Sequence, residues 1–293
     1  MTATLQLPGH LTDLAGGLRV RRLLPAAARR AVGPFVFFDH FGPAALPAET
    51  DSDIGAHPHI GLATVTYLFE GSLLHRDSLG TVQAIRPGAI NWMTAGRGIV
   101  HSERATDDER GRPRRLHGLQ LWVALPPALE ASEPAFQHVP AADLPTLSPA
   151  AGVRLRLLVG EAFGERSPVR TASPTLYLDL RLDAGARWTL PPLAAEMALY
   201  APQQGLGLDG QALPAQTMAV LPAGQGAELR ADAAGAQLVV IGGAPLVQPV
   251  RMWWNFVASD RERIAEAARR WAADGFDAIP GETARVAAPP WHD

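Results

Sequence analysis

The sequence of 293 residues contains no cysteine. A disulfide framework, a zinc–thiolate site, an iron–sulfur cluster and a thiol nucleophile are therefore excluded. Any metal ion must be bound by histidine, carboxylate, amide or water. Lysine is also absent, so all 26 basic residues are arginines, which indicates a bias in composition rather than a function. No stretch approaches the roughly 18 consecutive apolar residues that indicate a membrane-spanning helix.

The charge of the chain is nearly balanced, with a formal net charge of −3. Nucleic acid and anionic membranes are therefore not predicted as partners. The N-terminus has no basic segment followed by an apolar run, so we predict no signal peptide and a cytoplasmic location. Hydrophobic residues make up 47% and charged residues 19%, which is typical of a folded globular protein.

Short strands separated by glycine and proline turns dominate the sequence. Residues 64–69 alternate between two faces, and similar short segments recur up to Val123. Six prolines follow between residues 126 and 149, and a second series of strand-like segments runs from Val153 to Gly242. This evenly spaced pattern predicts an all-β protein built as barrels or double-sheet rolls.

One clear helical pattern lies near the C-terminus. Ser259 and Glu262 form a candidate capping box, and Gly275 is the candidate residue that ends the helix. Ile264, Ala268 and Trp271 fall on one helix face, which must be buried. We expect the helix to pack on the outside of a barrel.

Two pairs of metal-ligand residues lie within the first strand series. His57 and His59 form one pair, and His101 and Glu103 form the other, with 41 residues between the pairs. Residues i and i+2 of a strand point to the same face, so each pair can chelate one ion. Pro58 lacks an N–H group, which predicts an edge strand or a strand entry.

Three histidines and one glutamate leave two open positions on a six-coordinate ion, which suits the binding of a substrate beside O2. The mixed ligands favour Fe(II), while Mn, Co, Ni and Cu stay compatible and zinc is less favoured. The simpler alternative is that the histidines are unrelated and the protein is a metal-free structural protein.

The remaining histidines rank lower as ligands. We expect His40 either to pack among aromatic residues or to donate a hydrogen bond to a metal ligand. We expect His75 to pair with Asp77 or solvent, and His117 to be structural. The candidates for exposed histidines are His10, His138 and His292. Gln120 could reach the barrel interior as an orienting amide, although a structural hydrogen bond explains it equally well.

The first half resembles the pirin family of the cupin superfamily. The resemblance rests on four segments: His57–Tyr67, His75–Gly80, Trp92–Glu103 and His117–Val123. It implies a bicupin, that is, two tandem cupin β-barrels with a C-terminal α-helix, and a metal in the first barrel only. The implied metal ligands are His57, His59, His101 and Glu103. The sequence departs from the usual family string at Ile60, Leu62 and Ala63, where arginine, phenylalanine and glutamate are usual; we expect these residues at the entrance of the site or directly behind its ligands.

The resulting domain prediction has four parts. Residues 1–130 form the metal-binding barrel, 131–149 a proline-rich linker, 150–245 the metal-free barrel, and 246–293 a helix and tail that pack back on the first barrel. Residues 139–291 contain no histidine, which agrees with a single metal site.

The resemblance also implies a function. Bacterial members are described as quercetin 2,3-dioxygenases, which use O2 and a small aromatic substrate and release CO. Glu103 would then be the catalytic base. The alternative is a non-enzymatic iron-binding redox sensor that acts through a protein partner, as the eukaryotic type does.

Overall fold

The computed structural model describes residues 4–13 and 18–291, and these form 26 strands and one α-helix. The first strands are β1 (Leu5–Leu7), β2 (His10–Asp13), β3 (Arg19–Leu24), β4 (Phe35–Leu46), β5 (Ile54–His59), β6 (Leu62–Glu70), β7 (Leu73–Asp77), β8 (Val82–Ile85), β9 (Ile90–Thr94), β10 (Ile99–Arg104), β11 (Arg114–Ala124), β12 (Ala135–Val139) and β13 (Thr146–Ala150). The others are β14 (Val153–Val159), β15 (Glu161–Ala162), β16 (Glu165–Arg166), β17 (Thr175–Leu182), β18 (Arg187–Leu190), β19 (Glu196–Tyr200), β20 (Leu206–Leu208), β21 (Gln211–Leu213), β22 (Met218–Val220), β23 (Ala227–Arg230), β24 (Ala236–Gly243), β25 (Arg251–Trp253) and β26 (Phe256–Ala258). The helix is α1 (Arg261–Ala272), and short 3-10 helices span Pro127–Leu129 and Ala141–Asp143.

The chain divides into two compact units that are not consecutive in sequence. Among the described residues, the first unit contains 12–13, 18–20, 41–138 and 247–291, and the second contains 4–11, 21–40 and 139–246. The domain boundaries predicted from the sequence stay predictions. The proline-rich segment predicted as a linker contains β12, most of β13 and a 3-10 helix.

The first unit contains a four-stranded antiparallel sheet in the order β5-β10-β7-β8. A larger sheet follows the order β12-β9-β6-β11-β4-β3-β2, and its last three strands each contain a boundary between the units. β5 lies at the edge of the four-stranded sheet, as Pro58 predicts, because proline cannot donate to a neighbouring strand.

The second unit repeats this architecture with a seven-stranded sheet, β1-β22-β19-β24-β17-β14-β13, and a four-stranded sheet, β18-β23-β20-β21. Its core consists of apolar side chains, mainly leucines such as Leu157, Leu199 and Leu229. Two features differ from the sequence expectation. β1 pairs with β22 in this unit, and β20 and β21 form a hairpin around Asp209-Gly210 that the strand analysis missed. Both turn residues have positive φ, and Asp-Gly is the dipeptide that favours such a turn.

The C-terminal helix begins one residue later than the sequence predicts. Asp260 is the N-cap and accepts a hydrogen bond from the Glu262 N–H, while Ser259 lies outside the helix. At the other end Asp274, rather than Gly275, has the positive φ of 56°. The predicted apolar face is confirmed, since Ile264, Ala268 and Trp271 are buried in one cluster. No helix in the described residues is both long and apolar enough to cross a membrane.

Ser259 instead donates to a buried carboxylate in the same unit. The side chain of Glu130 is 2% exposed and accepts from the Ser259 backbone N–H at 2.7 Å and from its hydroxyl at 3.0 Å. We expect Glu130→Ala to lower the free energy of unfolding by about 1 to 2 kcal/mol, because two half-buried donors of Ser259 lose their acceptor. Chemical denaturation measures this.

Glu133→Ala is the matched control. The Glu133 side chain is 78% exposed and pairs with Arg97 on the surface, where water screens the pair, so its loss should leave the free energy of unfolding nearly unchanged. Equal losses for the two variants would contradict the role assigned to Glu130.

Candidate metal centre

Strand pairing brings the two predicted ligand pairs together. β10 lies between β5 and β7, and His101 is directly opposite His57 across the antiparallel ladder. Ile99 is opposite His59 in the same ladder, so all three histidines share one face of the sheet. The register shifts between His101 and Glu103, which indicates a bulge in the strand that bears the second pair.

The three imidazoles form a compact buried group. Their rings lie 4.3 to 5.1 Å apart between centroids, and the Nε2 atoms of His59 and His101 are 3.1 Å apart. Each histidine has a ligand atom within 4.8 Å of those of the other two. Trp122, which belongs to the larger sheet, packs edge-on against His59, with 5.2 Å between the ring centroids. A buried group of three histidines of this kind could bind a metal ion.

Hydrogen bonds at the far side of the rings orient two of the histidines. The Nδ1–H of His57 donates to the Gly55 carbonyl at 2.8 Å, and that of His59 donates to the Asn255 carbonyl at 3.1 Å. Because a carbonyl only accepts, these contacts assign the proton to Nδ1 and leave the Nε2 lone pair free. Asn255 lies in the turn between β25 and β26, so the C-terminal segment orients a candidate ligand.

Burial keeps these histidines neutral at neutral pH. It lowers the pKa of His57 to about 4. Burial and the neighbouring imidazoles lower the pKa values of His59 and His101 well below the ordinary range. Neutral imidazole is the form that binds metal, so the group needs no deprotonation at pH 7.

The spacing of the nitrogens also fits a metal ion. Two ligands at a right angle on an ion with metal–nitrogen bonds of about 2.1 Å lie about 3.0 Å apart. The observed separation between Nε2 of His59 and Nε2 of His101 is 3.1 Å. A cation between the two nitrogens removes the repulsion between lone pairs at this distance. The donor set therefore suits a cation.

Glu103 faces the same interior but lies slightly apart. It is directly opposite His75 on β7, and its Oε1 accepts from the Thr66 hydroxyl at 3.4 Å. It does not belong to the group of ligand atoms within 4.8 Å of one another among the described residues. Burial raises the pKa of Glu103.

Two residues that the sequence ranked low belong to this interior. His75 is 5% exposed, and its Nε2 lies 2.9 Å from Asp77 Oδ2, which confirms that pairing. Its Nδ1 lies 3.4 Å from Nδ1 of His101, a contact that the sequence analysis did not anticipate. Gln120 does contact the interior, because its Oε1 accepts from Thr66 at 2.8 Å. The strand alternation of β7 could have indicated that His75 and Asp77 share the face of the ligands.

The other histidines lie away from this group. His40 is buried among aromatic residues as predicted, with its ring beside that of Tyr200, and its Nδ1 lies 2.7 Å from the Tyr200 hydroxyl. His117 is buried beside Phe69. His10 is exposed as predicted, whereas His138 is half-buried and contacts Asn91 at 2.7 Å. His292 lies outside the described residues.

Three residues next to the candidate ligands are buried. Ile60 lies in the apolar cluster that contains Phe256 and Ile264. Leu62 and Ala63 are fully buried in β6. Ile60 therefore packs under the C-terminal helix rather than lining the entrance.

Comparison with known proteins shows the family. The Pirin family matches residues 17–123, and the Pirin C-terminal cupin domain matches residues 177–277. A pirin-like protein of Caulobacter vibrioides is 42% identical over 88% of this chain and 89% of its own length. The chain belongs to the pirin family. The predicted bicupin with a C-terminal helix is thereby confirmed.

Two further relatives of this pirin-family protein have a name that concerns activity. One, from Pseudomonas aeruginosa, is named as a candidate quercetin 2,3-dioxygenase and is 41% identical, over 97% of this chain and 90% of its own length. The other is a crystal structure titled quercetin 2,3-dioxygenase from Acinetobacter baumannii. It is 35% identical, covers 99% of this chain and 96% of its own, and superimposes with a TM-score of 0.92.

We expect the metal-free pirin-family protein to lose stability as the pH falls from about 6.5 towards 4. The pKa of His57 is about 4 in the folded state, against an ordinary 6.5 in the unfolded chain. The unfolded state therefore binds more protons in this window, so the free energy of unfolding decreases as the pH is lowered. His57 alone accounts for roughly 3 kcal/mol once the pH is below both values.

Denaturant unfolding of the metal-depleted protein at several pH values measures this dependence. His57→Gln removes one titrating group and should make the dependence shallower. An equally steep dependence in the variant would contradict the assignment to His57.

Proposed function

We propose that this protein is a metal-dependent dioxygenase that opens quercetin or a related flavonol with O2 and releases CO. The observation that supports it most is the group formed by His57, His59 and His101, with neutral rings whose nitrogens have the spacing of metal ligands. The names of the two relatives described above support the substrate class. Fe(II) is the proposed metal, and Mn, Co, Ni and Cu suit the same donors.

In this proposal the three histidines and Glu103 hold the metal ion. A bound metal would stabilise the negative charge that develops on the substrate and supply the redox chemistry with O2. Glu103 accepts the proton of the flavonol 3-hydroxyl. The Thr66 hydroxyl lies 3.4 Å from Oε1 of Glu103 and 2.8 Å from Oε1 of Gln120.

A turnover assay tests the proposal. Protein reconstituted anaerobically with Fe(II) is mixed with quercetin and O2, and the loss of flavonol absorbance is followed together with CO release. Wild type should turn over, and His59→Ala should not. A wild-type rate equal to that of the variant would overturn the proposal.

The burial of the site favours one second candidate, a non-enzymatic iron-binding redox sensor. His59 and His101 are each 1% exposed, and Glu103 is 9% exposed, so access for a flavonol requires an opening. A sensor would present a metal-dependent surface to a protein partner. Recovery of one stoichiometric partner only with the metal-loaded protein, without flavonol turnover, would favour this candidate. The cytoplasmic location stays a prediction.

A further inference from the structure

We propose that His75 and Asp77 are positioning residues that hold His101 in the tautomer able to bind the metal. The inference rests on the metal site proposed above and extends it to residues beyond the four candidate ligands.

The third histidine of the group differs from the other two in its far-side partner. His57 and His59 each donate from Nδ1 to a backbone carbonyl, whereas Nδ1 of His101 faces Nδ1 of His75 at 3.4 Å. An imidazole nitrogen can be either donor or acceptor, so this contact does not by itself fix the tautomer of His101. What fixes it must be the partner of His75.

Asp77 is the partner of His75. Its Oδ2 lies 2.9 Å from Nε2 of His75, and a carboxylate only accepts, so the proton of His75 is on Nε2. Nδ1 of His75 is then an acceptor. It can take the proton of Nδ1 in His101, which leaves Nε2 of His101 free on the side of His59.

The alternative tautomer would block the site. Nε2 of His101 lies 3.1 Å from Nε2 of His59, which holds a lone pair. A proton on Nε2 of His101 would be donated to His59, and both nitrogens would be lost to a metal ion. The contact from His75 therefore opposes a hydrogen bond within the ligand group itself.

The pair is held rigidly enough for this task. The ring of His75 stacks on Phe136 with centroids 4.4 Å apart and planes at 21°. The second carboxylate oxygen of Asp77 accepts from the backbone N–H groups of Leu79 and Thr81 at 2.9 and 3.0 Å. Asp77 is fully buried, so water does not compete for its oxygens. Partners of this kind behind a histidine ligand set its tautomer and strengthen metal binding.

The test compares the affinity for Co(II) ions in wild type, His75→Phe and His75→Gln. Phenylalanine keeps the stack on Phe136 but removes the acceptor, so the Kd should rise about tenfold to a hundredfold. Glutamine offers a carbonyl oxygen to His101 and should restore part of the affinity. His138→Phe, which removes a half-buried histidine of the same unit, should leave the Kd unchanged. Thermal unfolding of each metal-free variant shows that it is folded.

The tautomer itself can be measured without a variant. In metal-free wild type, 15N NMR of the imidazoles should show His101 protonated on Nδ1, and His75→Phe should shift the proton to Nε2. A wild type with His101 protonated on Nε2 overturns the inference, and so does a His75→Gln variant that binds no better than His75→Phe. These outcomes leave the proposed function intact, which instead fails if wild type binds no Co(II).

Discussion

Replacing His59 with alanine is expected to abolish retention of the metal ion. His59 presents Nε2 to the ligand group at 3.1 Å from His101, and the Asn255 carbonyl fixes its ring. Protein sites bind zinc with about 10 to 16 kcal/mol, so an equal share for one of four ligands corresponds to a loss on the order of a hundredfold to a thousandfold in affinity. Elemental analysis after loading and dialysis should give about one metal per chain in wild type and almost none in the variant.

The matched control for this experiment is His138→Ala. His138 lies in the same unit and contacts Asn91 rather than the ligand group. Its removal should leave the metal content unchanged. The metal ion should also raise the melting temperature of wild type and of His138→Ala, because a metal ion that binds the folded state stabilises it. It should not raise the melting temperature of His59→Ala, which no longer binds the ion. Full metal content in His59→Ala would contradict the site.

Replacing Glu103 with glutamine is expected to slow flavonol opening by about 10² to 10⁴, the usual contribution of a general base. Glutamine keeps the size and the acceptor oxygen facing Thr66 but cannot take up a proton. The rates should be measured at saturating Fe(II), because Glu103 is also a proposed metal ligand. Under that condition a lower rate reports the loss of the base and not the loss of metal.

Glu133→Gln is the control for removing one carboxylate, since its exposed side chain only pairs with Arg97. It should turn over at the wild-type rate. The metal content of Glu103→Gln should lie between those of wild type and His59→Ala, because Glu103 lies outside the compact group of ligand atoms. Recovery of the full rate at saturating metal would show that Glu103 acts only as a ligand.

Local sequence patterns were sufficient for much of the fold. In the second unit, β14 and β17 lie within the predicted series of strand-like segments, and glycine and proline turns mark their ends. The helix was also evident, since its apolar residues recur at helical spacing. Its first residue was placed wrongly because Ser259 and Asp260 are both good N-caps. Ser259 instead donates two hydrogen bonds to Glu130, which is remote in sequence.

The sequence by itself determined the chemistry that this protein can use. The absence of cysteine limits a metal site to histidine, carboxylate, amide or water, and the i, i+2 spacing places each pair of candidate ligands on one strand face. The absence of histidine from residues 139–291 leaves the first strand series as the source of a histidine site.

Tertiary structure alone decided what surrounds the candidate ligands. The pairing of β10 with both β5 and β7 brings His75 and Asp77 behind His101, and the turn after β25 brings the Asn255 carbonyl to His59. These contacts join residues up to 196 positions apart in the chain. Periodicity indicates which face a side chain occupies, but strand register and the partner across the sheet depend on the packing of the whole unit.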